Sequence, residues 1–179
     1  MHGCIQKNDR FSGTLSVGTI QGESPVSRIR LAVEADMEVL LDFGEHVVYP
    51  ETGEHWQNVR FSREALRATL TQFMPATSGA VLIAIEGNRL VGFAICFLNR
   101  YFFSEDLYAS DLSFFVCKDR RGSSTGPRLI AAMRAFATDR GAKELLLTVN
   151  SGIAVERAAK FLESRGARRI GVSLSIPLQ

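Results

Sequence analysis

The sequence predicts a single α/β domain built on a mixed sheet with helices on both faces. Three observations carry that reading. The length of 179 residues suits one domain with a full hydrophobic core and is short of two. Hydrophobic residues at 46% and charged residues at 22% are ordinary for a globular protein. Segments with helical periodicity alternate with β-branched runs along the chain, in the order β-α-α-β-β-β-α-β-α-β.

The stretch 1–26 is polar, rich in Gly, Ser and Thr, and lacks the apolar region of a secretion signal. It reads as a flexible extension ahead of a domain over 27–179. Arg28 to Leu31 is a short strand. Ala35 to Val48 is a helix with acids in its first turn, where the helix dipole favours them, and Pro50 and Gly53 are expected to end helical structure there. Ser62 caps a second helix, Arg63 to Gln72. Ala80 to Ile85 and Leu90 to Leu98 form a hairpin around Glu86-Gly87-Asn88-Arg89, with Gly and Asn supplying positive φ. Leu107 to Cys117 is a long strand. Gly126-Pro127 opens a helix, with Pro at its first position and Gly141 just beyond its end. Glu144 to Val149 is a buried strand, Ile153 to Arg165 a helix, and Arg169 to Ile176 the last strand.

Charge and cysteine usage narrow the function. The net charge of +2 gives no support to nucleic-acid binding, and no apolar run approaches the length of a membrane span. Cys4, Cys96 and Cys117 are odd in number and form no C-x-x-C pair. That argues against a disulfide framework and a zinc site, and suits a reducing cytoplasm. The histidines show no metal-ligand spacing, so no metal is expected. Charge is uneven along the chain. Glu34, Asp36, Glu38, Asp42, Glu45, Glu51 and Glu54 fall in a span without Lys or Arg, whereas Lys118, Arg120, Arg121 and Arg128 surround one glycine-containing loop. One region suits a cation and the other an anion, although charge runs are commonly just solvated faces.

That loop is the informative segment. A strand ending at Cys117 runs through Arg121-Gly122-Ser123-Ser124-Thr125-Gly126 into a helix. Successive N–H groups in such a turn, together with the helix N-terminus, form a concavity suited to a diphosphate. The spacing is neither the dinucleotide fingerprint nor the P-loop. On spacing alone, an anion site and a plain connecting turn stand level.

The six residues from Arg121 to Gly126 resemble motif A, Q/R-x-x-G-x-G/A, of the GCN5-related N-acetyltransferase (GNAT) superfamily, with Ser124 at the middle glycine. The element order from Arg28 to Ile176 is similar to that family's too. The resemblance implies the acyl-CoA N-acyltransferase fold, an α/β (α+β) sheet whose central strands splay at the cofactor site. It implies acetyl-CoA as co-substrate and a small-molecule or lysine amine as acceptor, with no nucleic acid or membrane partner. The backbone of Phe115, Val116 and Cys117 would pair with the pantetheine arm. The N–H groups of Arg121, Gly122, Ser123, Ser124, Thr125 and Gly126 would hold the pyrophosphate, and Asn150 would stand at the mouth of the splayed gap. Asp111, sharing a face with Ser113 and Phe115 by strand alternation, is the candidate general base, with an Arg-paired strand-end carboxylate as its other reading. Glu45, His46 and Tyr49 border the acceptor side.

Two departures from the family pattern stand out. Ser124 is tolerable in the loop if its φ is negative. The position of the tyrosine that protonates the leaving thiolate is Leu162, within Phe161-Leu162-Glu163-Ser164-Arg165-Gly166-Ala167. A CoA-binding regulatory module without transfer activity is therefore the alternative to an N-acetyltransferase. An acyl-cysteine route through Cys117 lacks a nearby histidine to activate the thiol. The acidic first third favours a cationic acceptor, and the apolar C-terminus leaves room for a homodimer through strand contacts.

Overall fold

Three long runs, two of them buried nearly without interruption, assemble with two short strands into one open sheet. The computed structural model describes residues 26–52, 56, 58–149 and 154–176. The expected N-terminal extension lies outside the described residues, save Val26, which is exposed. Five strands lie in the order β1-β2-β3-β4-β5: β1 (Arg28–Leu31), β2 (Gly79–Glu86), β3 (Arg89–Arg100), β4 (Leu107–Val116) and β5 (Leu145–Leu146). Neighbours from β1 to β4 are antiparallel, and β4 pairs with β5 in parallel. The sheet is mixed, as the sequence predicts.

Each face of the sheet is covered. On one face α1 (Met37–Phe43), a π turn over Gly44–Val48, α2 (Tyr49–Thr52) and α3 (Arg63–Phe73) pack onto Val81, Ile83, Phe93, Ile95 and Phe115. On the other, α4 (Thr125–Asp139) sets Leu129 and Met133 against Leu82, Ala84, Ala94 and Val116. Phe43 is the keystone of the first face. Its ring meets Phe93 and Phe115 edge-on, with centroids 6.0 and 5.8 Å away. The last helix, α5 (Val155–Glu163), has no fully buried residue.

Local chemistry sets the element ends. Ser62 accepts a hydrogen bond from Ala65 N and so caps α3 as expected. In the hairpin Gly87 has φ +58°, while Asn88 stays at negative φ, so one left-handed residue suffices for the turn. Pro127 is the third residue of α4, not the first. That position also lacks an intrahelical N–H bond, so proline costs nothing there. Pro50 does not break the first helical run. The π turn before it shifts the hydrogen-bond register, and Pro50 lies inside α2.

The last two expected strands differ most. β5 is two residues long instead of six, and Arg169–Ile176 forms no strand. Ile170, Val172, Leu174 and Ile176 are all more than 65% exposed. Their period-2 pattern specifies a face, but a strand also needs a hydrogen-bonding neighbour, and none of the described strands pairs with this segment. One consequence of the packing is measurable. Replacing Phe43 by Ala should cost about 3–5 kcal/mol of unfolding free energy, read from urea denaturation midpoints at unchanged slope. A loss below about 1 kcal/mol would mean that the first face does not depend on it.

Candidate functional site

The site begins where the sheet opens. β4 and β5 pair only at Ala109↔Leu145 and Ser110↔Leu146, although β4 runs on to Val116. Hydrogen bonds from Lys143 N to Leu107 O (2.7 Å) and from Ala109 N to Glu144 O (2.9 Å) close the near end of this pairing. Beyond Ser110 the carboxylate of Asp111 takes over. Its Oδ1 accepts from Thr148 N at 2.8 Å and from Thr148 Oγ1 at 3.0 Å. A side chain thus fills the space between two main chains that have begun to part.

A bulge lies at the same point. Cys96 pairs with Asp111 and Ile95 with Ser113, so Leu112 is an extra residue in β4. The bulge corrects the expected grouping of Asp111 with Ser113 and Phe115. Asp111 lies on the Cys96 face, toward α4, whereas Ser113 and Phe115 lie on the α1–α3 face. Sequence alternation cannot show an inserted residue. Asp111 is 8% exposed, and burial raises its pKa against the opposing pull of the Thr148 hydrogen bonds. Burial likewise pushes the Cys96 thiol up to about 11, with the nearby Asp111 charge adding to the effect.

Past the bulge, the ladder decides which main-chain groups face the gap. Cys117 N donates to Val91 O at 2.9 Å, flanking the Gly92↔Val116 pair. Val116 is therefore in a non-hydrogen-bonded pair, and its N–H and C=O point away from β3. By alternation Phe114 does the same, while Phe115 and Cys117 turn toward β3. Of Phe115, Val116 and Cys117, only Val116 turns its main chain to the gap, and Phe114 is the other β4 residue that does so. The sulfur of Cys117 is buried, 4.0 Å from Leu90 O.

The loop after β4 is braced from within. Gly122 has φ +89°, a conformation that suits glycine alone. Ser124, at φ −72°, meets the condition set by its replacement of a glycine. Ser123 Oγ donates to Arg120 O (2.7 Å), accepts from Thr125 N (3.2 Å) and lies 3.0 Å from Thr125 Oγ1. Thr125 Oγ1 in turn meets the buried Ser27 hydroxyl at 2.9 Å, tying the start of α4 to the start of β1. The N–H groups of Gly122, Ser124 and Gly126 donate to no acceptor among the described residues. They lie at the N-terminus of the 15-residue α4, where a helix dipole favours an anion, and Gly126 is buried. The N–H groups of Arg121, Ser123 and Thr125 are spent inside the loop.

The side-chain charges are distributed differently from the sequence expectation. Arg120 pairs with Glu86 and Asp119, and Arg121 turns back to Glu51, with its Nε donating to Val116 O and its guanidinium 5.5 Å from the centre of the Phe115 ring. Lys118 and Arg128 make no ion pair among the described residues, so they remain to meet an anion.

On the α1–α3 face a cavity of about 300 Å³ reaches the bulge. Leu40, Val48, Phe61, Leu66, Leu70, Phe93 and Ile95 line it, and Leu112, itself exposed, and Ser113 bring β4 into the lining. Tyr49 lies on its wall and donates to Val59 O at 2.8 Å. Glu45 and His46 do not line it. Glu45 pairs with Arg63 and His46 is exposed. Asn150 lies outside the described residues, so its expected place at the mouth of the gap is not described. Leu162 is half-buried next to Phe161, whose ring tip would come within 3.3 Å of a Cβ on Gly126.

Residues 48–167, well over half of the chain, match the model of the acetyltransferase (GNAT) family. No curated protein matches the chain in sequence. Among solved structures it is similar to an aminoglycoside acetyltransferase from an uncultured soil metagenomic sample, at 20% identity and a TM-score of 0.68 over 86% of this chain and 97% of that one. It is similar to a transcriptional regulator from Bacillus halodurans, at 19% identity and 0.67 over 85% and 99%. An acetyltransferase from Trypanosoma brucei matches at 17% identity and 0.63 over 85% and 99%. At these identities the likeness is one of fold.

The raised pKa of Asp111 yields a sign that can be tested. The folded state holds its proton to higher pH than the unfolded state does. Wild-type stability should therefore fall as pH rises from the ordinary carboxylate range through the raised value, and then level off. Asp111→Asn keeps an Oδ1 acceptor for Thr148 and removes the charge, so its stability relative to wild type should rise across that window in urea titrations. A difference constant with pH would mean that the carboxyl is not desolvated.

Proposed function

Because the chain belongs to the acetyltransferase (GNAT) family, we propose that it transfers an acetyl group from acetyl-coenzyme A to a primary amine. The three unengaged N–H groups at Gly122, Ser124 and Gly126, ahead of α4, carry this reading. They suit a diphosphate, and Lys118 and Arg128 add charge. The gap-facing main chain of Phe114 and Val116 suits the pantetheine arm, which pairs with it as an added strand. The cavity on the α1–α3 face, with Tyr49 on its wall, receives the amine next to the bulge.

The reaction is direct transfer. The neutral amine nitrogen bonds to the thioester carbonyl carbon, the C–S bond breaks, and the electron pair leaves with sulfur. A gap-facing N–H of β4 stabilises the oxyanion. Asp111 acts as a positioning residue that holds the strands apart at Thr148. Its carboxylate is on the face opposite the cavity, so the amine proton leaves by way of water at the cavity mouth. Leu162 has no proton to give, and the thiolate takes its proton from solvent. A CoA-binding module without transfer is the second reading, and the apolar Leu162 is the observation that favours it.

The test separates binding from chemistry. Acetyl-CoA at about 100 times its dissociation constant should stabilise the native state by ~2.7 kcal/mol in thermal unfolding. Ser124→Asp should fold at least as well, because an acid suits a helix N-terminus, yet lose that shift by repelling the diphosphate. Loss of the shift in the variant, with thiol release on adding amines to wild type, is the expected result. A shift without thiol release for any amine would select the binding module, and no shift in wild type would contradict both readings.

A further inference from the structure

We infer that the acceptor is a monoamine carried on an uncharged apolar body, rather than a polycation; this rests on the reading above that the cavity is the amine site. The lining makes the case. Among its described residues none is charged, and the wall is built of Leu, Val, Phe and Ile side chains with four hydroxyls, those of Tyr49, Thr52, Thr69 and Ser113. The carboxylates that could have made this face acidic are committed elsewhere. Glu38, Asp42 and Glu45 converge on Arg63, Glu38 also holds Arg67, and Glu51 holds Arg121. A second ammonium on the ligand would be desolvated in the cavity with no carboxylate among the lining to receive it.

The hydroxyls set the direction in which the ligand lies. Tyr49 donates to Val59 O, Thr52 to Val48 O and Thr69 to Ala65 O, so these three are turned into the protein backbone. The Ser113 hydroxyl makes no hydrogen bond among the described residues. It stands one residue past the Leu112 bulge, at the end of the cavity nearest the gap. The amine nitrogen belongs at Ser113, and the apolar body lies back between α1 and α3 against Leu40, Leu66 and Phe93. At about 300 Å³ the space is at the small end of ligand sites, which fits an arylalkylamine and not an oligosaccharide.

The experiment uses phenethylamine, spermidine and kanamycin as probes. Each is titrated calorimetrically into the full chain with and without CoA, beside Thr69→Trp, which fills the cavity from α3, and Ser113→Ala. Phenethylamine is expected to bind at least tenfold more tightly than either polycation. Thr69→Trp should lose that binding while keeping the acetyl-CoA thermal shift, and Ser113→Ala should weaken it about threefold. Spermidine or kanamycin binding as well as phenethylamine, or phenethylamine binding intact in Thr69→Trp, would overturn the inference and leave the acetyl-CoA reading standing. Phenethylamine held in the cavity by a protein that shows no acetyl-CoA shift would do the reverse.

Discussion

Everything at the site depends on where β4 lets go of β5. The two strands share only the pairs at Ala109 and Ser110, and then the Asp111 carboxylate, held by Thr148 N and Oγ1, stands between them. Burying a carboxylate is costly, and two hydrogen bonds from one residue offset part of that cost. The Leu112 bulge comes immediately after. It puts Ser113 on the cavity face and the N–H groups of Phe114 and Val116 toward the gap. One inserted residue therefore sets how β4 faces both the gap and the cavity.

Arginine side chains arrange the rest. Arg63 gathers Glu38, Asp42 and Glu45 and so fastens α3 to α1 and the π turn. Arg121 joins the loop after β4 to Glu51 of α2 and lies over Phe115. Such partly exposed pairs contribute little stability one at a time. Their effect is on the site's electrostatics. They remove the acids from the cavity wall and leave the loop ahead of α4 to backbone N–H groups, Lys118 and Arg128. The Ser27–Thr125–Ser123 hydroxyl chain then fixes that loop without spending the N–H groups of Gly122, Ser124 and Gly126.

The sequence was most legible where one residue type answers one local need. Ser62 caps α3, Gly87 and Gly141 take left-handed positions, and the hairpin arises from runs of β-branched and apolar residues. The small-residue loop was found from Arg121 to Gly126, but which of its N–H groups stay unspent depends on Ser123 and Thr125 hydroxyl geometry. The bulge left no mark in the residue pattern, so alternation put Asp111 on the wrong face. Charge was misread for a related reason. The acids of the first third look unopposed along the chain, yet Arg63, Arg67 and Arg121 reach them from distant positions. The apolar alternation from Ile170 to Ile176 suggested a strand where the described sheet supplies no neighbour.

The central claim is that a diphosphate-bearing cofactor sits on specific backbone N–H groups beside a parted strand. Amide chemical-shift mapping during titration with CoA tests it most directly. The account predicts the largest changes at the N–H groups of Gly122, Ser124 and Gly126, smaller ones at Phe114 and Val116, and little at Arg121, Ser123 and Cys117, whose N–H groups already have acceptors. Changes centred on the α1–α3 cavity, with the loop undisturbed, would contradict it.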